Sequence, residues 1–309
     1  DSYVQLAPKH KLNLLPSLSS ERNWIQDSNY VPANIEAYRS YVRQTVERYD
    51  GDGVNDVPGL LFPIKYWQLD NEADLRYTVR GDGFESPSEY YQVLKATYEA
   101  VKAADPSALL MINVAGAGQG MERLSIDYIR TLMALGAKDC FDVFSYHVYP
   151  TTYDPVIFQN YLQEIKAMIG DKPIWITETA ISDQPDSKAQ ARWLVKDYVF
   201  HLAGGVGKIF WLALPDGAPD TSDLLARNGG LITFGETKKL SYYTYKKTAE
   251  ILSGSDWTNI QTIQDSGDVQ IYRFIKNGDP VFVVWWDYFN DPTYIPGMAK
   301  QAVITDVQG

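Results

Sequence analysis

The stretch IKYWQLDNE, residues 64–72, runs an apolar, β-prone segment straight into Asn71 and Glu72. A second stretch, PIWITE at 173–178, ends in the same way on Glu178. Glutamate suits a strand interior poorly and is costly to bury unpaired, so two glutamates at strand ends are placed for chemistry. The fold follows from asking what else in the chain looks like these two runs.

Four more runs do: LNLLPSL (12–18), ALLMINVA (108–115), FDVFSYHVY (141–149) and KIFWLAL (208–214). Several are apolar at consecutive positions, as in strands covered on both faces. Amphipathic helices fill the intervals. Ser86-Pro87-Ser88-Glu89 supplies an N-cap, a proline at the first helical position and a capping-box glutamate. Behind it Tyr91, Leu94, Tyr98 and Val101 recur at helical spacing until Asp105-Pro106 stops the helix. A similar stripe through Tyr38, Val42 and Tyr49 follows Asn34 and ends at Asp50-Gly51, and residues 188–202 and 240–252 also read as helices.

Six strand–helix units at this spacing predict an α/β fold of the TIM (β/α)8 type. A full barrel has eight units, and residues 1–11 read as the tail of a helix, so two further strands are expected upstream. After Gly254 the pattern changes to alternation without helices. Segments 258–264, 268–276, 279–287 and 300–307 read as antiparallel strands, with turns at Gly267, Asn277-Gly278 and Asp291-Pro292. The expected division is a barrel domain over 1–253 and a small all-β appendage over 254–309.

Composition narrows the partners. The 309 residues are 45% hydrophobic and 22% charged with a net charge of −11, which disfavours nucleic acid and anionic membranes as partners. No run of apolar residues is long enough to span a bilayer. Eight Trp and 22 Tyr suit stacking on sugar rings, and equally suit a large core. The lone Cys140 forbids an internal disulfide. The sequence carries no signal peptide and begins without Met, so localisation and oligomeric state stay open.

Four constellations could carry chemistry. Asn71 offers donor and acceptor groups for a sugar hydroxyl, and Glu72 can donate a proton to a leaving oxygen if its surroundings favour the protonated form. The plain alternative is a polar loop start. Glu178 is a second carboxylate, or else a helix-capping or salt-bridging one. His147 and Tyr149 are two apart on a strand and share a face, where they could orient a carboxylate or simply pair in the core. Trp211, in the last strand, could floor a sugar pocket or fill a core. Paired carboxylates at the carboxyl ends of parallel strands are what hydrolysis of a glycosidic bond requires.

The ordered set Asn-Glu, His-x-Tyr, Glu, Trp over residues 10–252 resembles the clan A retaining glycoside hydrolases. Those enzymes share a (β/α)8 barrel with an Asn-Glu acid/base after the fourth strand and a nucleophilic Glu on the seventh. Counting back from KIFWLAL as the eighth strand puts Asn71-Glu72, His147-x-Tyr149, Glu178 and Trp211 at the matching places. The resemblance implies Glu72 as general acid/base and Glu178 as nucleophile. It further implies that Asn71 bonds the sugar 2-hydroxyl, Tyr149 holds Glu178, and His147 and Trp211 line the central subsite. It calls for a carbohydrate substrate and no cofactor. The rival reading is a non-catalytic carbohydrate-binding barrel, or an inactive fragment of such an enzyme.

Other candidates rank lower. Asp50, Asp52, Asn55 and Asp56 place oxygen ligands in a turn, but the bidentate glutamate of a calcium loop is replaced by Leu61, so a helix-ending loop is expected. Asp70 and Asp74 read as structural or rim residues, and Asp142 as structural. His201 reads as a packing residue. The glycine-rich run 114–120 lacks a phosphate-loop pattern and reads as a plain βα loop. Trp24, Tyr30, Tyr77 and Asp216 are candidate rim residues.

Overall fold

The computed structural model describes residues 1–19, 31–75, 86–117, 122–149, 155–265 and 269–286. Trp24, Tyr30, Tyr77, the turns at Gly267 and Asp291-Pro292, and the strand expected at 300–307 lie outside them. The chain divides into two compact units, residues 1–177 and 178–309.

Every apolar run picked out above contains a strand. They are β1 (Ser17–Leu18), β2 (Tyr66–Leu69), β3 (Leu109–Ala117), β4 (Val143–Val148), β5 (Ile174–Thr179) and β6 (Lys208–Trp211). They form one sheet in sequence order, β1-β2-β3-β4-β5-β6, and the β1–β2, β2–β3 and β3–β4 ladders are parallel. This is the α/β architecture expected of a TIM-type barrel, with six of its strands.

In the first unit the intervening helices are α1 (Ser2–Leu6), α2 (Ile35–Glu47), α3 (Ala73–Leu75), α4 (Pro87–Ala104), α5 (Glu122–Ala134) and α6 (Pro155–Ile169). The caps read from sequence are made. Asn34 Oδ1 accepts the Ala37 N–H at 2.9 Å, and Ser86 and Glu89 complete their reciprocal capping box. Helix α2 stops at Glu47, three residues before the expected Asp50, because Tyr49 N–H bonds Val46 O in a tight final turn. Tyr38, Val42 and Val46 are fully buried on the inner face of α2, and Tyr38 meets Thr97 of α4 through a 2.9 Å hydroxyl pair. On β3, β4 and β5, Met111, Val143 and Trp175 form a buried cluster, with Tyr66 of β2 packed on it. These inward residues alternate with Leu110, Ile112, Phe144 and Ile176, buried on the other side. Asp142 is structural as expected: its Oδ2 takes the Leu110 N–H at 2.8 Å and pairs with Lys102 at 3.0 Å.

The glycine-rich run departs from expectation. It begins as strand: β3 continues to Ala117 through a register shift after Val114. A Cβ on Gly116, whose φ is +77°, would lie 2.5 Å from the His147 carbonyl oxygen and 2.9 Å from Tyr146 Cβ. Only glycine allows β3 to lie this close to β4 there.

The second unit opens with the end of β5 and continues through α7 (Ser187–Ala203), β6, α8 (Leu224–Asn228) and α9 (Leu240–Leu252). The change of pattern after Gly254 is real: β7 (Gln261–Gln264), β8 (Val269–Lys276) and β9 (Asp279–Trp286) make a separate antiparallel sheet. Asn277 and Gly278, at φ of 54° and 90°, form the two-residue hairpin turn between Lys276 and Asp279. Gln270, Tyr272 and Phe274 are its buried face.

Candidate active site

The first unit gathers one polar network at the carboxyl ends of β2, β3 and β4. Directly after β2 the backbone turns left-handed twice, at Asp70 (φ 48°) and at Glu72 (φ 52°). Non-glycine residues avoid this region, so the surroundings must hold it. Gln68 Nε2 donates to Asp70 O at 2.8 Å and reaches Asn71 Oδ1 at 3.5 Å, while Ser17 Oγ donates to Asp70 O at 3.3 Å. Asp70 is thus buried and structural.

Glu72 is held at both ends. Its N–H donates to Asn113 Oδ1 at 2.8 Å, which fixes which way the Asn113 amide faces. The Nδ2 group then points at Ser145 Oγ, His147 Nε2 and Thr177 Oγ1, each 3.0 Å away. An amide nitrogen can only donate, so His147 Nε2 accepts and the ring proton sits on Nδ1. That proton is donated to Glu72 Oε1 at 2.8 Å. Asn113, Ser145 and His147 are all fully buried, and the Glu72 side chain keeps 16% exposure. One glutamate oxygen, Oε1, is therefore engaged by histidine.

Asp74 lies two residues on and is nearly fully buried. Its Oδ1 accepts the Ala115 N–H at 2.6 Å and the Leu75 N–H at 2.9 Å. Burial pushes its carboxyl above the usual range, against hydrogen bonds from Ser125 and these two amides. Ser125 Oγ in turn meets Tyr161 OH at 2.9 Å, and burial holds that phenol well above its ordinary pKa. Tyr149 sets its half-buried ring edge-on to His147 at 6.1 Å.

The second unit holds the other two candidates. Glu178 is half-buried near the end of β5, and its neighbour Thr179 is fixed by donating to Asp197 Oδ2 at 2.9 Å. Trp211 ends β6, half-buried, with Nε1–H donated to Gly229 O at 2.9 Å. The Gly229-Gly230 loop is also held by Gln190 Nε2 and by Asp216, which accepts the Gly230 N–H at 2.8 Å and pairs with Lys239 at 2.7 Å. Asp216, a rim candidate from sequence, is 8% exposed and spends its carboxylate inside this loop. The Asp50–Asp56 carboxylates are likewise used on backbone amides, Asp56 taking Gly51 N–H at 3.0 Å and Gly53 N–H at 2.8 Å.

Asn113, Ser145, Thr177 and Asp74 are site residues that sequence reading missed or set aside. The first three share inward-facing strand positions with core residues, and only a polar side chain inside an apolar run signals them. Asn113 within ALLMINVA was visible in that way.

The model of the glycosyl hydrolase catalytic core family matches residues 71–237, just over half of the chain, beginning at Asn71. The chain belongs to that family. No curated protein matches the chain. Among solved structures, a family 39 glycoside hydrolase from Bacteroides cellulosilyticus WH2 is similar with a TM-score of 0.70 at 19% identity, over 92% of this chain and 59% of that one. A glucosidase from Croceicoccus marinus gives a TM-score of 0.58 at 17% identity, over 89% and 60%. Xylanase 10B from Thermotoga maritima gives 0.53 at 16% identity, over 81% and 78%. At such identities the likeness is one of fold, the TIM-type barrel fold expected from the order of strands and helices. The chain spans 59% and 60% of the length of the first two of these relatives.

Proposed function

We propose that the protein hydrolyses β-glycosidic bonds of a poly- or oligosaccharide by double displacement with retention. The observation that carries the reading is the Glu72 carboxyl group at the end of β2, its Oε1 held by His147 Nδ1–H in a network anchored on Asn113. Family membership, and neighbours named as a glucosidase and a xylanase, support a sugar substrate.

In the first step a Glu178 oxygen attacks the anomeric carbon while the bond to the leaving oxygen breaks and Glu72 Oε2 delivers its proton there. In the second, water attacks the glycosyl–Glu178 ester, Glu72 takes the water proton, and Glu178 leaves as a carboxylate. His147, buried away from solvent, acts on Glu72: by engaging Oε1 it directs Oε2 toward the leaving oxygen. Asn71 bonds the sugar 2-hydroxyl, Tyr149 holds Glu178, and Trp211 floors the central subsite. The protein's own carboxylates supply all the chemistry, so no cofactor is required.

The test is an aryl β-glycoside panel with product anomers followed by proton NMR. Glu178→Gln is expected to abolish turnover, and azide to rescue Glu72→Ala but not Glu178→Gln. Inverted product, or substantial turnover by Glu178→Gln, refutes the assignment. Sugar binding without any turnover replaces it with a carbohydrate-binding role.

A further inference from the structure

Resting on the reading of Glu72 as acid/base, we infer that Asp74 is a positioning residue for Glu72, bracing the catalytic loop against β3 beyond the end of the β2–β3 ladder. Along that ladder, partners lie 43 positions apart, up to Leu69↔Ile112. The ladder then stops, because the chain turns left-handed at Asp70 and Glu72. Two side chains continue the pairing where the backbone cannot. Glu72 N–H donates to Asn113 Oδ1, and Ala115 N–H donates to Asp74 Oδ1, both links spanning 41 positions. The two residues of slack are taken up by the two left-handed turns. The links are reciprocal: in one the loop gives the amide and β3 the side chain, and in the other the roles reverse. Together they fix the loop on both sides of the Glu72 side chain.

Asp74 is itself immobilised. It bonds Leu75 N–H in its own short helix and Ser125 of α5, whose hydroxyl reaches Tyr161 of α6. The brace on Glu72 therefore runs back through two helices into the buried core. The Ala115 end is rigid as well, since Gly116 beside it is pressed against His147 O and Tyr146. A loop that slackens by about 1 Å would misplace Glu72 Oε2 against a leaving oxygen.

The experiment compares a phenyl glycoside, whose leaving group needs a proton, with a dinitrophenyl glycoside of the same sugar, whose leaving group departs unassisted. Asp74→Ala is expected to lower kcat on the phenyl glycoside roughly 10–100-fold with KM little changed, and to change the dinitrophenyl glycosylation rate by less than about threefold. Asp74→Asn, which keeps Oδ1 in place, is expected to restore most of the loss. Asp74→Ser, too short to reach Ala115 but small and polar, should behave as Asp74→Ala if the latter does not fold. Equal losses on both substrates, no loss on either, or failure of both short variants to fold would make Asp74 a folding residue and overturn the inference. Glu72→Gln runs alongside: if it hydrolyses the phenyl glycoside at the wild-type rate, the acid/base reading itself falls. If it shows the leaving-group split and Asp74→Ala does not, only the inference about Asp74 falls.

Discussion

Asn113→Ala is expected to destabilise the first unit more than any other single polar truncation around Glu72. The side chain is fully buried and makes four polar contacts of 2.8–3.0 Å. Two of the partners can adapt: Ser145 still donates to Ile112 O at 2.9 Å, and the Thr177 hydroxyl can rotate. The Glu72 N–H and His147 Nε2 cannot, because both are fixed in direction. Each buried polar group left unpaired costs roughly 1–3 kcal/mol, so the sum is about 3 kcal/mol once some relaxation is allowed. For a unit of 177 residues that corresponds to a fall in Tm of about 6–12 °C. Urea melts followed by tryptophan fluorescence would measure it, with Ser145→Ala as the control at about 1 kcal/mol. If Asn113→Ala costs no more than Ser145→Ala at unchanged m-value, the network does not hold the left-handed turn, and the tautomer assigned to His147 loses its basis.

Three further outcomes are expected. Asp105 is shielded from water, which disfavours its charge, but Lys65 at 2.5 Å and the Ser107 hydroxyl and amide outweigh burial and hold its carboxyl below the ordinary range. Its stabilising contribution is therefore full above the unfolded carboxylate pKa and is lost as pH falls through the lower folded value; Lys65→Met should flatten that acid limb in melts taken between about pH 5 and 2. Lys196 of α7 is pushed down to about 8 by burial and then by Arg192, with its ammonium 6.0 Å from the Trp285 ring centroid. It should acylate at pH 8 ahead of exposed lysines in a mass-spectrometric labelling series, and Lys196→Met should gain stability at pH 7, where the folded state carries the cost of the buried charge. Gly116→Ala puts a methyl group 2.5 Å from His147 O at a φ of +77°, and should cost more than about 2 kcal/mol, read from the same melts.

Much of this was legible in the chain, for reasons that differ by element. All six apolar runs contain strands, and in β4, buried at every position, cover on both faces accounts for the consecutive apolar residues. Caps such as Asn34 and Ser86 were readable because their chemistry is local. The Asn277-Gly278 turn was readable for the same reason, since few dipeptides accept two left-handed residues in succession. What stayed hidden was long-range. The role of Asn113 depends on partners at positions 72, 145, 147 and 177, and no local rule connects them. Asp74 read as either structural or a rim carboxylate, because sequence cannot show that Ala115 and Leu75 both aim their amides at it. The strand inside the glycine-rich run escaped for the opposite reason: a glycine usually marks a loop, and here it marks a close approach of β3 to β4.

The left-handed backbone at Glu72 and the side chain that it carries depend on each other. Glycine adopts φ near +52° without the penalty of about 1 kcal/mol that a side chain incurs there. Glu72→Gly would remove that penalty but leave the buried His147 Nδ1–H without its acceptor, at a cost of roughly 1–3 kcal/mol, so the fold gains nothing by the exchange. The side chain at 72 thus helps to hold the strained backbone that carries it, and thermal engineering of this chain has to keep position 72 fixed before it begins.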